Sequence, residues 1–166
     1  MADLNLDSVQ AIITELLTVG QRLGIFDSVQ GHEPKSAPHS YGLHLTMHGA
    51  SMAPVPDVSG LGTISVRVEF QMGIMTNMLA EPQDGIDPEV MGAAGALMSA
   101  LAGGFTLNGE AMAVDLLGAY GEGLRAEAGY ITIGGGGQGE GSGARMFRVM
   151  NVFVPVVLDD CWTVGA

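Results

Sequence analysis

A chain of 166 residues, 47% hydrophobic and only 14% charged, is long enough to bury one core yet short of the charges that usually cover a surface of that size. Part of that surface is therefore expected to be buried against other subunits. Six basic against eighteen acidic residues, net −12, disfavour phosphate-based nucleic-acid binding and docking on anionic lipid, and the lone Cys161 leaves no internal disulfide.

In chain order, Asp3 and Asp7 stand where a signal peptide carries basic residues. Asp7-Ser8-Val9-Gln10 reads as a capping box, and Val9, Ile12, Ile13, Leu16, Leu17 and Leu23 give the period of an amphipathic helix over about 7–23, ended by Gly24. Residues 26–30 suit a short strand, and the polar, Pro-rich residues 31–40 a loop or arm. Leu43 to His48 alternate, with Leu43, Leu45 and Met47 expected inward and His44, Thr46 and His48 outward. On a strand the two histidines lie about 13 Å apart, too far to share a metal. Gly49-Ala50-Ser51-Met52-Ala53 lacks the second glycine of a nucleophile elbow, and Pro54 and Pro56 prevent the helix that an elbow needs. Residues 54–62 read as a loop.

Residues 63–75 carry the strongest signal. Ile64, Val66, Val68, Phe70, Met72 and Ile74 alternate with Ser65, Arg67, Glu69 and Gln71, which predicts a strand roughly 40 Å long with one buried and one wet face. A turn-rich stretch follows. Its carboxylates Glu81, Asp84, Asp87 and Glu89 lack the spacing of a calcium loop. Asp87-Pro88-Glu89 is expected to cap a second helix over about 88–102, with Val90, Met91, Ala94, Leu97, Met98 and Leu101 as its apolar stripe. Residues 90–109 are free of charge, but their glycines and the missing basic flank favour a buried helix over a membrane span. The helix also carries Gly92, Ala93, Gly95, Ala96, Ser99 and Ala100, small residues that let another backbone approach. They are the candidate subunit-packing face.

Residues 105–107 and 112–117 read as short strands about an Asn108-Gly109 turn. Residues 124–133 and 145–158 form a hairpin around the glycine-rich 134–143, which is not a phosphate loop because no Lys-Ser/Thr or helix follows. Pro155 is expected to place the last strand at an edge or to bulge it near its end. The sum is a single α+β domain over 1–166: a mixed or antiparallel sheet with long strands and hairpins, flanked by two main helices. No acid–base pair, activated nucleophile or metal cluster stands out, so no enzyme activity, cofactor or metal is expected. Function is expected to lie in shape and surface.

Several words of the sequence carry a resemblance. Gly31-His32-Glu33-Pro34-Lys35-Ser36-Ala37-Pro38, Thr76-Asn77-Met78-Leu79, Glu81-Pro82-Gln83-Asp84-Gly85-Ile86-Asp87-Pro88, Phe105-Thr106-Leu107, Val114-Asp115-Leu116-Leu117-Gly118, Ala128-Gly129-Tyr130 and Met146-Phe147-Arg148-Val149-Met150 occur in this order between about Leu6 and Trp162. The chain thereby resembles the tail terminator proteins of long-tailed, siphovirus-type phages of actinobacteria. The resemblance implies an α+β domain that forms a homo-oligomeric ring, typically a hexamer, on the head-proximal end of the virion tail after assembly in the host cytoplasm. Such a ring stops growth of the tail tube and joins it to the head–tail connector or completion protein. It implies the major tail tube protein and the tape-measure protein as partners, DNA passing through without specific binding, and no membrane. Loops 31–40, 49–62 and 134–143 become candidate contacts, represented by Lys35, Ser36, Val55, Pro56, Gln138 and Glu140. A head–tail completion protein or tube subunit would share this composition, and a small-ligand-binding or hydrolytic domain is the more distant alternative.

Overall fold

The computed structural model describes residues 4–56, 60–134 and 143–165. Helix α1 (Leu6–Leu23) leads into strand β1 (Ser28–Gln30), then β2 (His44–Val55), β3 (Thr63–Asn77), helix α2 (Ile86–Gly103), β4 (Ala113–Val114), β5 (Arg125–Ile133) and β6 (Arg145–Thr163). The sheet runs β1-β2-β3-β6-β4, with β5 also paired to β6. Among the described residues β1–β2 is parallel and the other strand pairs are antiparallel. The fold is thus α+β with a mixed sheet, as the pattern predicts.

Both helices lie on one face. Ile12 and Leu16 of α1 and Val90, Ala93, Ala94, Leu97 and Leu101 of α2 share a cluster with Leu45, Met47, Val66, Val68, Phe70, Met72, Ile74, Met150, Val152, Val154 and Val156. Removing these side chains from water supplies the main driving force, about 1.5–3 kcal/mol for each large aliphatic side chain. A smaller cluster of Met75, Ile133, Phe147 and Val149 lies on the opposite face, where Ala37 of the arm packs against it.

Several local readings change. The capping box of α1 belongs to Asn5 and Ser8, not Asp7: Asn5 Oδ1 accepts from the Ser8 amide and Ser8 Oγ from the Asn5 amide, each at 3.0 Å. Gly24 closes the helix with φ +66, a left-handed geometry that glycine adopts without strain. A 3-10 turn at Gln83–Gly85 runs into α2, so the helix opens at Ile86 with Gly85 as N-cap and Asp87 falls inside the first turn. Met91, assigned to the stripe of α2, is 60% exposed, while Ala93 and Ile86 are buried. The strand expected at 105–107 is a turn, and Leu107–Gly109 is a 3-10 turn; Leu107 (φ +49) and Asn108 (φ +58) lie in the left-handed region, which extended pairing does not allow. Strand β2 continues through Pro54 to Val55, where a loop is expected from the prolines alone.

Pro155 lies in a strand flanked on both sides, not at an edge. It pairs with Glu69 of β3 on one side. On the other, β5 reaches only Phe153 and β4 starts at Val156. The Asp115 amide donates to the Pro155 carbonyl at 2.8 Å, and the Asp115 carbonyl accepts from Leu124 instead of from an amide that proline lacks. The bulge expected near the strand's end is present: register shifts between Ile64 and Val66 of β3, opposite residues 158–162, with Asp160 at φ +50.

Leu97 is fully buried among both helices and the sheet. Leu97→Ala is expected to lower stability by about 2–5 kcal/mol, read as a lower urea midpoint at constant slope; a variant within ~0.5 kcal/mol of the parent would contradict this packing.

Candidate interaction surface

The face opposite the helices is expected to be wet, and it is not. Ser65 is 1% and Glu69 8% exposed, Arg67 and Gln71 are half-buried, and His44 and Thr46 are buried too. Two segments cover it. At one end lies the arm of residues 31–42. Ser28 Oγ is 2.7 Å from His44 Nδ1 and the Ser40 carbonyl 3.0 Å from Nε2, so this histidine is a buried strut tying arm to sheet. Thr76 donates to the Tyr41 carbonyl at 3.2 Å, and Glu33 lies 3.9 Å from His48 Nε2. A groove of about 260 Å³ runs under the arm, lined among others by Glu33, His48, Gln71, Ile131 and Asn151.

At the other end residues 115–124 fold back onto the sheet around Asp115. Its Oδ1 accepts the amides of Gly118 and Ala119 at 3.0 and 2.8 Å, and its Oδ2 that of Tyr120 at 3.0 Å. Arg67 Nε lies 3.6 Å from Asp115 Oδ2, and Arg67 also donates to the Glu122 carbonyl. Gly118 sits at φ +82, and a Cβ there would stand 2.6 Å from the Gly121 carbonyl oxygen, so the loop closes only around glycine. Glu69 joins the two ends of the network: its Oε2 is 3.7 Å from Arg67 Nη1 and 3.2 Å from Arg125 Nη1. Arg125 also meets Glu122 Oε2 at 3.0 Å and lies 4.3 Å over the Phe153 ring. The hydrogen bond that Arg125 donates to Glu69 raises the Arg125 pKa above its usual range against a desolvation cost, with Glu69, Glu122 and Glu127 adding charge attraction. That arginine stays cationic at any pH the fold meets. Its coupling adds stability lost only as pH climbs through the raised value, so it gives no pH response near neutrality.

Each carboxylate here is held by guanidinium or backbone amides. The network works as a clamp on the loop. Spacing alone could have suggested only that Arg67 and Glu69 share a face; Asp115, just past β4, and Arg125, at the start of β5, come from distant parts of the chain.

The expected packing residues of α2 do not share one side. Ala93 is buried in the core, Ala96 and Ala100 are half-buried, and Gly92, Gly95 and Ser99 are exposed. A Cβ added at Gly92 or Gly95 would meet nothing within 4 Å. The arm is not what covers this helix, because it packs on the opposite face. Lys35 is exposed on the arm beside Ser36, Val55 is buried at the end of β2, and Pro56 is exposed. Gln138 and Glu140 lie outside the described residues. Three of the six basic residues, Arg67, Arg125 and Arg148, are held in internal ion pairs, whereas Asp84, Glu89, Glu110, Asp159 and Asp160 stand exposed. Among the described residues no group of three or more His, Cys, Asp or Glu could hold a metal, and no helix is long and apolar enough to cross a membrane.

These features define an α+β domain with helices on one face of a long-stranded sheet and two strapped-down segments on the other. No family model matches the chain, and no curated protein does. Among solved structures, a chain of the "Virion of native gene transfer agent (GTA) particle" is similar over 87% of this chain and 90% of its own, at 16% identity and a TM-score of 0.39. That likeness is too slight to bear on what this chain does.

Glu69→Gln is expected to lower stability by about 1–3 kcal/mol, since it leaves two guanidinium groups facing a neutral amide. Denaturant unfolding measures this, with faster amide exchange over residues 115–124 as a second readout. Unchanged stability and exchange would show that the clamp holds nothing.

Proposed function

We propose that this chain is a virion structural protein and, within that class, a tail terminator: a ring that caps the head-proximal end of a phage tail tube, stops its polymerisation and forms the joint to the head connector. The observation that carries the reading is the ordered run of sequence words between about Leu6 and Trp162. Their placement in the fold supports treating them as one pattern. Met78, Gln83, Asp84, Ile86, Asp87, Tyr130 and Arg148, drawn from four separate words, line a single depression where α2 begins. There Arg148 Nε donates to Asp87 Oδ1 at 2.8 Å and its guanidinium lies 4.5 Å over the Tyr130 ring. Exposed Leu79, Tyr41 and Met146 line a second depression that shares Met78 with it, and together they give the mixture of aromatic, Met and Arg groups common at the centres of protein interfaces.

In this reading the low charge content follows from burial between subunits, and Gly92, Gly95 and Ser99 are where a neighbouring subunit approaches α2. Six copies of net −12 would carry about −70, and acidic walls let DNA slide where basic ones would hold it. The tube and connector proteins are the partners, with the tape-measure protein setting the length at which the ring docks.

Removing the gene from a phage that carries it is expected to give tails of uncontrolled length or tails without heads. Tails of normal length on infectious particles would contradict the proposal. Ser99→Arg is expected to leave the unfolding midpoint within ~0.5 kcal/mol of the parent, as for an exposed position, and to abolish the oligomer; an unchanged oligomer by light scattering would remove α2 from the interface.

A further inference from the structure

The sheet is unfinished at both sides. Strand β1 covers only His44–Thr46 of β2, so among the described residues no strand borders the outer edge of β2 beyond that point. Residues 49–54 are all exposed, and residues 49–55 carry no charged side chain. At the far side β5 pairs with β6 alone, and residues 128–133 are again uncharged. Long open edges are normally guarded by charge, proline or a bulge, or covered, because their free amides and carbonyls template pairing with another chain; on β2 the bulge between Gly49 and Ser51, together with Pro54, leaves residues 51–53 as the regular open stretch.

We infer that copies of this chain join edge to edge, the open half of β2 in one copy adding as an antiparallel strand to β5 of the next. The inference rests on the ring reading above and names the surfaces that would close the ring. Strand direction fits. β2 is antiparallel to β3, β3 to β6 and β6 to β5, so β2 and β5 point opposite ways. Rotation about an axis running along the sheet leaves that relation intact, and the new pair is antiparallel.

One register also gives the tilt of a closed sheet. Ser51 lies level, through Glu69, with Pro155 of β6, and Gly129 lies level with Val149. Bringing Ser51 of one copy beside Gly129 of the next displaces the copies along the strands by about six residues, roughly 20 Å. The repeat across the sheet, from one β2 through β3, β6 and β5 to the next β2, is four strand spacings, about 19 Å. Nearly equal offset and width mean strands inclined at roughly 45° to the ring axis, close to the ~35–45° tilt that closed sheets adopt. With no tilt the same contact would climb into a helix. Pro54 has no amide hydrogen to offer, so pairing stops before it. On the helix side, the neighbour's α1, which packs by β1, comes toward α2, which lies over β3 and β6.

The test is disulfide trapping in a Cys161→Ser background, which removes the native thiol. In the proposed register Met52 stands opposite Ala128; both are exposed and both point to the helix side, opposite core residues Val68 and Met150. Met52→Cys with Ala128→Cys, oxidised mildly, is expected to give a non-reducing ladder of cross-linked chains ending at the ring size, while either single variant gives none. Pairing Met52→Cys with Ala126→Cys or Tyr130→Cys covers a register shift of two. Closed rings by microscopy with no ladder from any of the three pairs would overturn the edge pairing and leave the ring reading standing. A protein monomeric at all concentrations would overturn both. Should the double variants fail to fold, hydrogen exchange on the unaltered protein decides: the outward-facing amides within residues 49–53 and 127–131 are expected to slow at least tenfold on assembly, and no change overturns the inference.

Discussion

Strand β6 must satisfy its backbone along both edges over nineteen residues, and no single neighbour on the second edge is long enough to do it. On one side β3 runs beside it nearly end to end. On the other, β5 serves the first nine residues and β4 two more, with Pro155 at the changeover. Unpaired amides in so apolar a strand would be costly. The proline removes one donor where the partner strand changes, and Leu124 takes the acceptor left over. This seam also fixes the loop of residues 115–124, because the chain passes from β4 to β5 there and Asp115 gathers its amides.

The two faces of the sheet are then covered by different means. The helix side is closed by aliphatic packing, which tolerates changes of similar volume. The other side is held by specific polar ties: His44 between Ser28 and the Ser40 carbonyl, and Glu69 between two arginines. Such ties fix register and loop position more than they add stability. Rigid straps on one face and open edges at both sides are what a subunit needs to present a fixed contour to its neighbours.

The sequence showed long-range order wherever a period repeats. Strand β3 was legible because six apolar positions alternate without a break, and α1 because its stripe repeats every three or four residues. What the period could not reveal is cover supplied from elsewhere in the chain. The side of β3 bearing Arg67 and Glu69 looks wet when only residues 63–75 are considered, and becomes buried through residues near 115–125. His44 misleads for the same reason. Local rules assign Pro54 and Pro155 to loops and edges, yet both sit in strands, and at Pro155 the acceptor left without a partner is taken by Leu124. The small residues of α2 were visible as a composition, but which of them face outward depends on how the helix rotates against the sheet. Ala93 shows this, since it turned into the core.

The central claim is that this domain acts by joining its own copies into one closed object of fixed size. Native mass spectrometry of the purified protein, with electron microscopy of the same sample, tests this most directly. The account predicts a single ring species whose copy number does not change with concentration. Filaments that lengthen as concentration rises would contradict it and point to a tube subunit.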